Sequence, residues 1–521
     1  MPVSFFAARV AKSGAVYYND CIMKVAFHTL GCKVNQYESE AMAQMFRSRG
    51  WETVDEREFA DVYVINTCTV TAIADKKSRQ YIRRMKRVNP DSIIAVTGCY
   101  AQISPDEVTA IKGVDIVTGT NEKSTLIDYI EELTAERTHA NEPFTAIHPY
   151  DELGVFDEMG RVTSTENRTR AYIKVQEGCN RFCSYCVIPY ARGPVRSRAL
   201  EDIVEEAKAL IAAGYKELVL TGINTAMYGM EGRDLYAAKA TDSEDRASTA
   251  KATTGAPEAR ATDSEAGAPA PADAEEGIYG IEEAIAAVNA LPGEFRIRLS
   301  SLEPAVVNAD YVRRLFQYDK LCHHLHMSAQ SGSDKVLKSM NRPYDRSQYM
   351  DMVEALYQFD PCYGISTDII VGFPGEKDRD FEDSCSLVRE CSFCKTHIFR
   401  YSKRPKTKAA EMKEQVSPQV KQKRSDELQK VSSEAAKVFF ERNIAAAEVG
   451  RTETVLFEEI VSANEEGFGI MKGDRLLTGY TGNYIRVYVP ARGAGEEMLG
   501  SFAKVRLDAV FQDGIAASVV Q

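Results

Sequence analysis

Residues 177–193 read EGCNRFCSYCVIPYARG and place Cys179, Cys183 and Cys186 in a C-x3-C-x2-C array. The array follows a strand-like run at Tyr172–Val175. Three thiolates on one tight loop can hold three irons of a [4Fe–4S] cluster and leave the fourth iron without a protein ligand. A structural zinc site wants a fourth Cys or His at similar spacing, and none follows nearby. A disulfide with one spare thiol is the plainer alternative. The chain has twelve cysteines, and Arg9 and Lys12 interrupt the apolar stretch at its start, which makes a poor secretory segment. Patterned cysteines without an export signal read as reduced, cytoplasmic metal ligands or redox groups.

Strand and helix patterns alternate outward from this loop. Apolar runs recur at Tyr172–Val175, Glu217–Leu220, Arg296–Ser300, Leu325–Ser328, Ile365–Val371 and Thr396–Arg400. Amphipathic stretches separate them; in 199–213, Ile203, Ala207, Leu210 and Ile211 share a face and Gly214 supplies the stop. Six such units over 165–402 predict a partial (β/α)6 barrel rather than a full eight-unit one. Residues 237–276 interrupt the pattern with no Val, Ile, Leu, Met, Phe, Tyr or Trp, and with nine acidic and four basic residues. Such a composition predicts a disordered surface insertion.

Residues 23–140 form a second α/β unit. Apolar runs at Lys24–Leu30, Asp61–Asn66, Ser92–Thr97 and Val114–Val117 alternate with helical stretches, which predicts a small parallel sheet covered on both faces. Cys32, Cys68 and Cys99 each follow one of the first three strands, in HTLGC, INTC and VTGC. The carboxyl ends of parallel strands lie on one edge, where ligands bind. A single buried cysteine is ordinarily a small hydrophobe. Three at equivalent strand ends favour a second cluster.

Residues 1–22 read as an N-terminal extension, with Met23 a candidate functional start, and 136–168 as a linker. Residues 403–447 read as a basic helical connector; 403–430 hold nine Lys or Arg against four Asp or Glu. Residues 448–516 carry short alternating runs (TVLFEEI, YIRVYVP, FAKVRLDAV) that predict a small antiparallel barrel. With 521 residues, several domains are expected, and a net charge of −12 excludes a uniformly basic nucleic-acid binder but not a basic patch. No window of about 20 apolar residues is present, so no membrane span is expected.

The loop at 179–186 resembles the radical S-adenosylmethionine (SAM) superfamily. That resemblance implies SAM on the open iron and its reductive cleavage to a 5′-deoxyadenosyl radical. It places Tyr185 beside the adenine, and Thr221, Gly222 and Asn224, then Ser300, Gln330 and Gly372, at strand ends around SAM. Alone, these polar residues and glycines could equally cap and turn. With both cysteine sets in view, the stretches TLGCKVNQYES, EGCNRFCSYCVIPYARGPVRSR, LTGIN, RIRLSSLEP, SAQSGSDKVLKSMNR and TDIIVGFPGE resemble the methylthiotransferases. CKVNQ and YSKRPKTKAAEM point within that family to the threonylcarbamoyladenosine-specific (MtaB) type, with Lys406 where that type usually has Gly.

The resemblance implies two [4Fe–4S] clusters, SAM, and methylthiolation at C2 of N6-threonylcarbamoyladenosine at tRNA position 37. It also implies the anticodon-loop region of tRNA as partner, and an electron donor such as a flavodoxin or ferredoxin. Rival readings are the same chemistry on N6-isopentenyladenosine or on a ribosomal-protein aspartate, and a non-catalytic RNA-binding iron–sulfur redox sensor.

For RNA, KKSRQYIRRMKR (76–87) has seven basic residues and no acidic one, and a helix would align Lys76, Arg79, Arg83 and Arg87 opposite Ile82 and Met85. That stripe is a phosphate-binding face or a solvated one. The C-terminal barrel resembles a TRAM domain, in which Tyr480, Tyr484 and Arg486 are stacking and backbone-contact candidates; alternatively these tyrosines fill the barrel. His323, His324 and His326 read as packing or polar lining. Cys385, Cys391 and Cys394 read as ordinary thiols.

Overall fold

The computed structural model describes residues 22–136, 142–164, 169–231, 280–491 and 495–520. The N-terminal extension, apart from Ile22, and the 237–276 insertion lie outside the described residues. The first unit runs β1 (Lys24–Thr29), α1 (Lys33–Ser48), β2 (Glu52–Val54), β3 (Val62–Thr67), α2 (Ala72–Val88), β4 (Ile93–Gly98), α3 (Cys99–Ile103), α4 (Pro105–Thr109), β5 (Ile116–Thr118), α5 (Leu126–Glu136) and β6 (Phe144–Ala146). The strands form one parallel sheet in the order β2-β1-β3-β4-β5-β6. Val62–Thr67 is buried along its whole length, as a strand covered on both faces must be. Two edge strands escape the sequence reading. Both are three residues long and partly exposed, so they carry no hydrophobic period, and β6 falls in the expected linker.

The second unit comprises β7 (Arg170–Lys174), β8 (Gln176–Glu177), α6 (Ile188–Arg192), β9 (Arg196–Ser197), α7 (Leu200–Ala212), β10 (Glu217–Thr221), α8 (Ile281–Asn289), β11 (Arg296–Leu299), β12 (Ser301–Leu302), α9 (Ala309–Leu315), β13 (His324–Met327), α10 (Asp334–Ser339), α11 (Arg346–Phe359), β14 (Gly364–Val371), α12 (Asp378–Cys391) and β15 (Lys395–Arg400). Its strands pair in parallel as β7-β10-β11 and β12-β13-β14-β15. Ser300 breaks the third strand between the two halves, and an Ile297–Leu321 bridge carries the sheet across. The six-strand partial barrel is thus present. Its core is one apolar cluster running from Ala171 and Ile173 to Val388 and Phe393.

The chain then forms α13 (Lys408–Glu411), the long α14 (Pro418–Glu448), β16 (Glu453–Ser462), β17 (Arg475–Thr481), β18 (Arg486–Pro490), β19 (Phe502–Phe511) and β20 (Gly514–Val519). Ser417 caps α14 by accepting from the Val420 amide, with Pro418 at the first helical position, where its missing N–H costs nothing. The last five strands close a barrel in the order β16-β17-β18-β20-β19. Its pairs are antiparallel except β18–β20, which runs parallel and seals it.

This barrel docks on the amino-terminal ends of the partial barrel's strands. Arg296 donates to the carbonyls of Thr454 and Tyr480, at 3.2 and 2.8 Å. Arg298 donates to those of Gly482 and Thr481, each at 3.0 Å. Both guanidiniums are anchored by fully buried Glu217. They hold its carboxyl far below the usual range, against the opposing cost of burial.

Candidate active site

The cysteines lie at the opposite, carboxyl ends. Cys179, Cys183 and Cys186 sit on the loop between β8 and α6. Cys186 N donates to the Cys183 carbonyl at 3.0 Å and Cys179 N to that of Gly193 at 3.1 Å. Gly178 (φ +71°) is required here, since a Cβ would fall 1.8 Å from the Pro194 carbonyl oxygen. The end of α10 clamps the loop: Ser184 Oγ donates to the Ser339 carbonyl at 2.7 Å and Ser184 N to that of Met340 at 3.0 Å. Arg342 Nη1 reaches Cys183 Sγ at 3.4 Å, while its Nη2 pairs with Glu303 at 2.9 Å.

The three thiols line a cavity of about 170 Å³ together with Tyr185, Asn224, Glu303, Ser328, Gln330 and Arg342. Of the residues expected around SAM, Tyr185, Asn224 and Gln330 are therefore at the cavity. Asn224 Oδ1 is buried with no protein partner, an acceptor left open for a ligand. Gln330 adopts φ +68°, held by hydrogen bonds to Asp368 O and from Ile370 N. The other expected positions are not among the lining residues. Thr221 is buried in β10, Ser300 sits in the strand break, and Gly222 packs on Gln176. Gly372 makes room for Lys421: a Cβ there would meet Lys421 Cγ at 2.3 Å.

The first sheet gathers the other three thiols at the ends of neighbouring strands β1, β3 and β4. Cys32 caps α1, Cys68 follows β3, and Cys99 opens α3. Gly31 (φ +117°) lies against Cys68, whose Sγ is 3.2 Å from where a Cβ would be. Asn35 pins the turns, donating to the carbonyls of Leu30 and Thr67 at 2.7 and 3.0 Å. Burial pushes the Cys68 thiol up to about 12, with Cys99 and Cys32 adding to the rise. Burial likewise raises Cys99, opposed by Arg192. Thiols held this way are poor free nucleophiles, and metal ligation is what removes their protons.

All cysteines among the described residues are free thiols. Also among the described residues, no three His, Cys, Asp or Glu side chains converge as ligands of a single ion. In an iron–sulfur cluster each thiolate binds its own iron.

The two cysteine sets are joined by residues the sequence reading passed over. Arg192, fully buried, donates its Nε to Cys99 Sγ at 3.2 Å. Its other nitrogens bind Glu38 and Glu177 at 2.7 and 2.5 Å and Asn35 at 2.6 Å. Lys33, beside Cys32, is lowered to about 8 by burial and by Arg298 and Arg170 of the barrel. Asp368 binds His326 at 3.0 Å and Ser328 at 2.7 Å, and His324 and His326 share Ser366 at 3.0 and 2.9 Å. The histidines thus form a polar lining whose carboxylate comes from a different strand.

The basic stripe forms on α2. Lys76, Arg83 and Arg87 are exposed, with Ile82 and Met85 buried. Arg79 is tied down by Tyr100 at 2.7 Å and Glu107 at 3.2 Å. Tyr480 and Tyr484 do not stand free: they stack on each other at 4.9 Å, and His324 stacks on Tyr484 at 4.5 Å. Arg170 and Arg298 cover the two rings, about 5 Å from their centres. Arg486 is engaged by Glu459 at 3.1 Å. Docking of the barrels accounts for this, because the same loop that supplies the tyrosines supplies carbonyls to Arg296 and Arg298.

Fold and cavity together define a radical SAM protein with a second cysteine-bearing domain. Residues 173–388 match the radical SAM superfamily, and 24–119 match a family described as uncharacterized protein family UPF0004. The chain is similar to the threonylcarbamoyladenosine tRNA methylthiotransferase MtaB of Bacillus subtilis, at 39% identity over 93% of each chain. A tRNA-2-methylthio-N(6)-dimethylallyladenosine synthase of Clostridium botulinum is 34% identical over 84% of this chain and 86% of its own. Among solved structures, the radical SAM methyltransferase TsrM of Kitasatospora setae shares the fold, with TM-score 0.50 and 14% identity, over 74% of this chain and 77% of that one. The chain belongs to the radical SAM methylthiotransferase family, MtaB type.

Proposed function

We propose that the protein is a cytoplasmic tRNA methylthiotransferase that adds a methylthio group at C2 of N6-threonylcarbamoyladenosine at position 37. The observation that carries this reading is the presence of two three-cysteine sets at the carboxyl ends of two parallel sheets, with Arg192, from the stretch that carries one set, bonded to Cys99 of the other.

In this reading Cys179, Cys183 and Cys186 hold one [4Fe–4S] cluster, and Cys32, Cys68 and Cys99 hold the other. When bound, the first cluster with SAM supplies a 5′-deoxyadenosyl radical and the second holds sulfur for transfer, so an unactivated adenine C–H can be replaced. Tyr185, Asn224 and Gln330 line the SAM side. Ser328 lines the same cavity and is bonded to Asp368, which also binds His326; in this reading these groups would meet the substrate. Arg342 and the α10 clamp keep the loop rigid, which orients the reacting groups.

Exposed Lys76, Arg83 and Arg87 on α2, which starts four residues after Cys68, would carry phosphates of the anticodon stem-loop. A flavodoxin or ferredoxin would supply electrons. Among the described residues no helix is long and apolar enough to cross a membrane.

Anaerobic assay of the reconstituted protein with SAM, reductant and tRNA bearing threonylcarbamoyladenosine tests the reading. It requires both 5′-deoxyadenosine and the methylthio nucleoside. Product only on isopentenyladenosine tRNA would move the substrate to that of the dimethylallyl type, and binding of RNA without 5′-deoxyadenosine would leave a redox sensor.

A further inference from the structure

Around the first unit's cysteine set, Cys32, Cys68 and Cys99, lies a buried charge group. Arg192, Lys174 and Lys123 are all essentially solvent-free, as are Glu38 and Glu177. Glu38 accepts from Arg192 at 2.7 Å, from Lys174 at 2.9 Å and lies 3.3 Å from Lys123. Glu177 binds Arg192 at 2.5 Å and also pairs with Lys174. Asp157 and Glu122, also buried, act on the same lysines, and Arg196 acts on Glu177. The remaining nitrogen of Arg192, its Nε, points at Cys99 Sγ at 3.2 Å. At the second unit's set the corresponding cation is Arg342, which approaches Cys183 at 3.4 Å and pairs with Glu303.

We propose that Arg192 is a positioning residue that sets the reduction potential of the cluster on Cys32, Cys68 and Cys99, the N–H bond from its buried guanidinium to Cys99 making that cluster easier to reduce than it would be without it. Hydrogen bonds to the ligating sulfur and net local charge are among the terms that fix such potentials. The arrangement also makes the first set's electrostatics depend on the second unit, because Arg192 and Glu177 both belong to the stretch that carries the second set. This rests on the cluster assignment above.

The test is a redox titration followed by electron paramagnetic resonance on the full chain. Cys179→Ala, Cys183→Ala and Cys186→Ala together leave only the cluster of interest, and Cys32→Ala, Cys68→Ala and Cys99→Ala leave only the other. Adding Arg192→Gln to the first protein should shift its midpoint potential negative. Adding Glu177→Gln, which removes a compensating anion, should shift it positive, so the test stands even where Arg192→Gln does not fold. A residue with only a structural role would lower iron content and leave the potential in place. An unmoved potential in these variants would overturn the role of Arg192 while leaving the cluster assignment intact. Failure of the first protein to bind iron and sulfide at all would overturn both.

Discussion

Arg404 reaches across 329 residues to Asp75, Nη2 to Oδ2 at 2.6 Å, and the same nitrogen meets Thr69 Oγ1 at 2.8 Å. Both charged side chains are buried. The segment that leaves the radical SAM barrel is thereby stapled to the first turn of α2, just beyond Cys68, and Ser402 adds a bond from the Ala72 amide at 3.0 Å. Removing one partner of a buried pair leaves the other charge stranded. Arg404→Met should cost about 3–5 kcal/mol in urea unfolding, and Asp75→Asn in the same chain should recover part of it. A loss below about 1 kcal/mol would mean that water reaches Asp75.

Lys406 stands where the resemblance leads one to expect glycine, and the structure gives that residue a cost. Its φ is +63°, in the left-handed region where a Cβ is penalised. Lys406→Gly should raise stability by about 0.5–1 kcal/mol, the relief of that penalty less the added freedom of the unfolded chain. Lys406→Val should lower it. Thermal unfolding of the three proteins checks the order.

Glu206 on α7 is buried between Arg198 and the Tyr37 hydroxyl, the latter donating at 3.0 Å. Burial pushes its carboxyl up to about 7 despite these partners. Between the ordinary glutamate value and pH 7 the folded state therefore holds the proton more tightly than the unfolded one. Stability then falls as pH rises through that window, by an amount on the order of 3 kcal/mol. Glu376, raised to about 7 by burial, adds a slope of the same sign. Glu206→Gln should flatten the dependence without abolishing it. Denaturant midpoints at pH 5 and pH 8 measure this, and an unchanged slope would contradict it.

On α2 the exposed cations should act on RNA and the tethered one should not. Replacing Lys76, Arg83 and Arg87 together with Gln should weaken tRNA binding and lower the log–log salt slope by roughly 0.7–0.9 per lost phosphate contact. Arg79→Gln should leave the slope nearly unchanged, because Tyr100 and Glu107 already occupy its guanidinium. Filter binding across a salt series separates the two outcomes.

What the sequence made legible was local or periodic. The cysteine loop lies within ten residues of chain, and Cys32, Cys68 and Cys99 are marked by the strands they follow. The contacts that join the units were not legible. Arg192 and Cys99 are 93 residues apart and Arg404 and Asp75 are 329, and no spacing rule links such pairs. For Tyr480 and Tyr484 the sequence left stacking and packing both open for the same reason: Arg170, Arg298 and His324, which lie on their rings, are far away in the chain. Gly372 looked like a ligand-side glycine at a strand end, but the space it leaves is taken by Lys421 of a helix nearly fifty residues on.

The most direct test of the central claim is mass spectrometry of tRNA nucleosides from cells with and without this gene. The account predicts loss of 2-methylthio-N6-threonylcarbamoyladenosine in the deletion. Wild type should restore it, and neither Cys32→Ala nor Cys179→Ala should, since each removes a ligand from one of the two sets. An unchanged level of that nucleoside in the deletion, or full restoration by either cysteine variant, would contradict it.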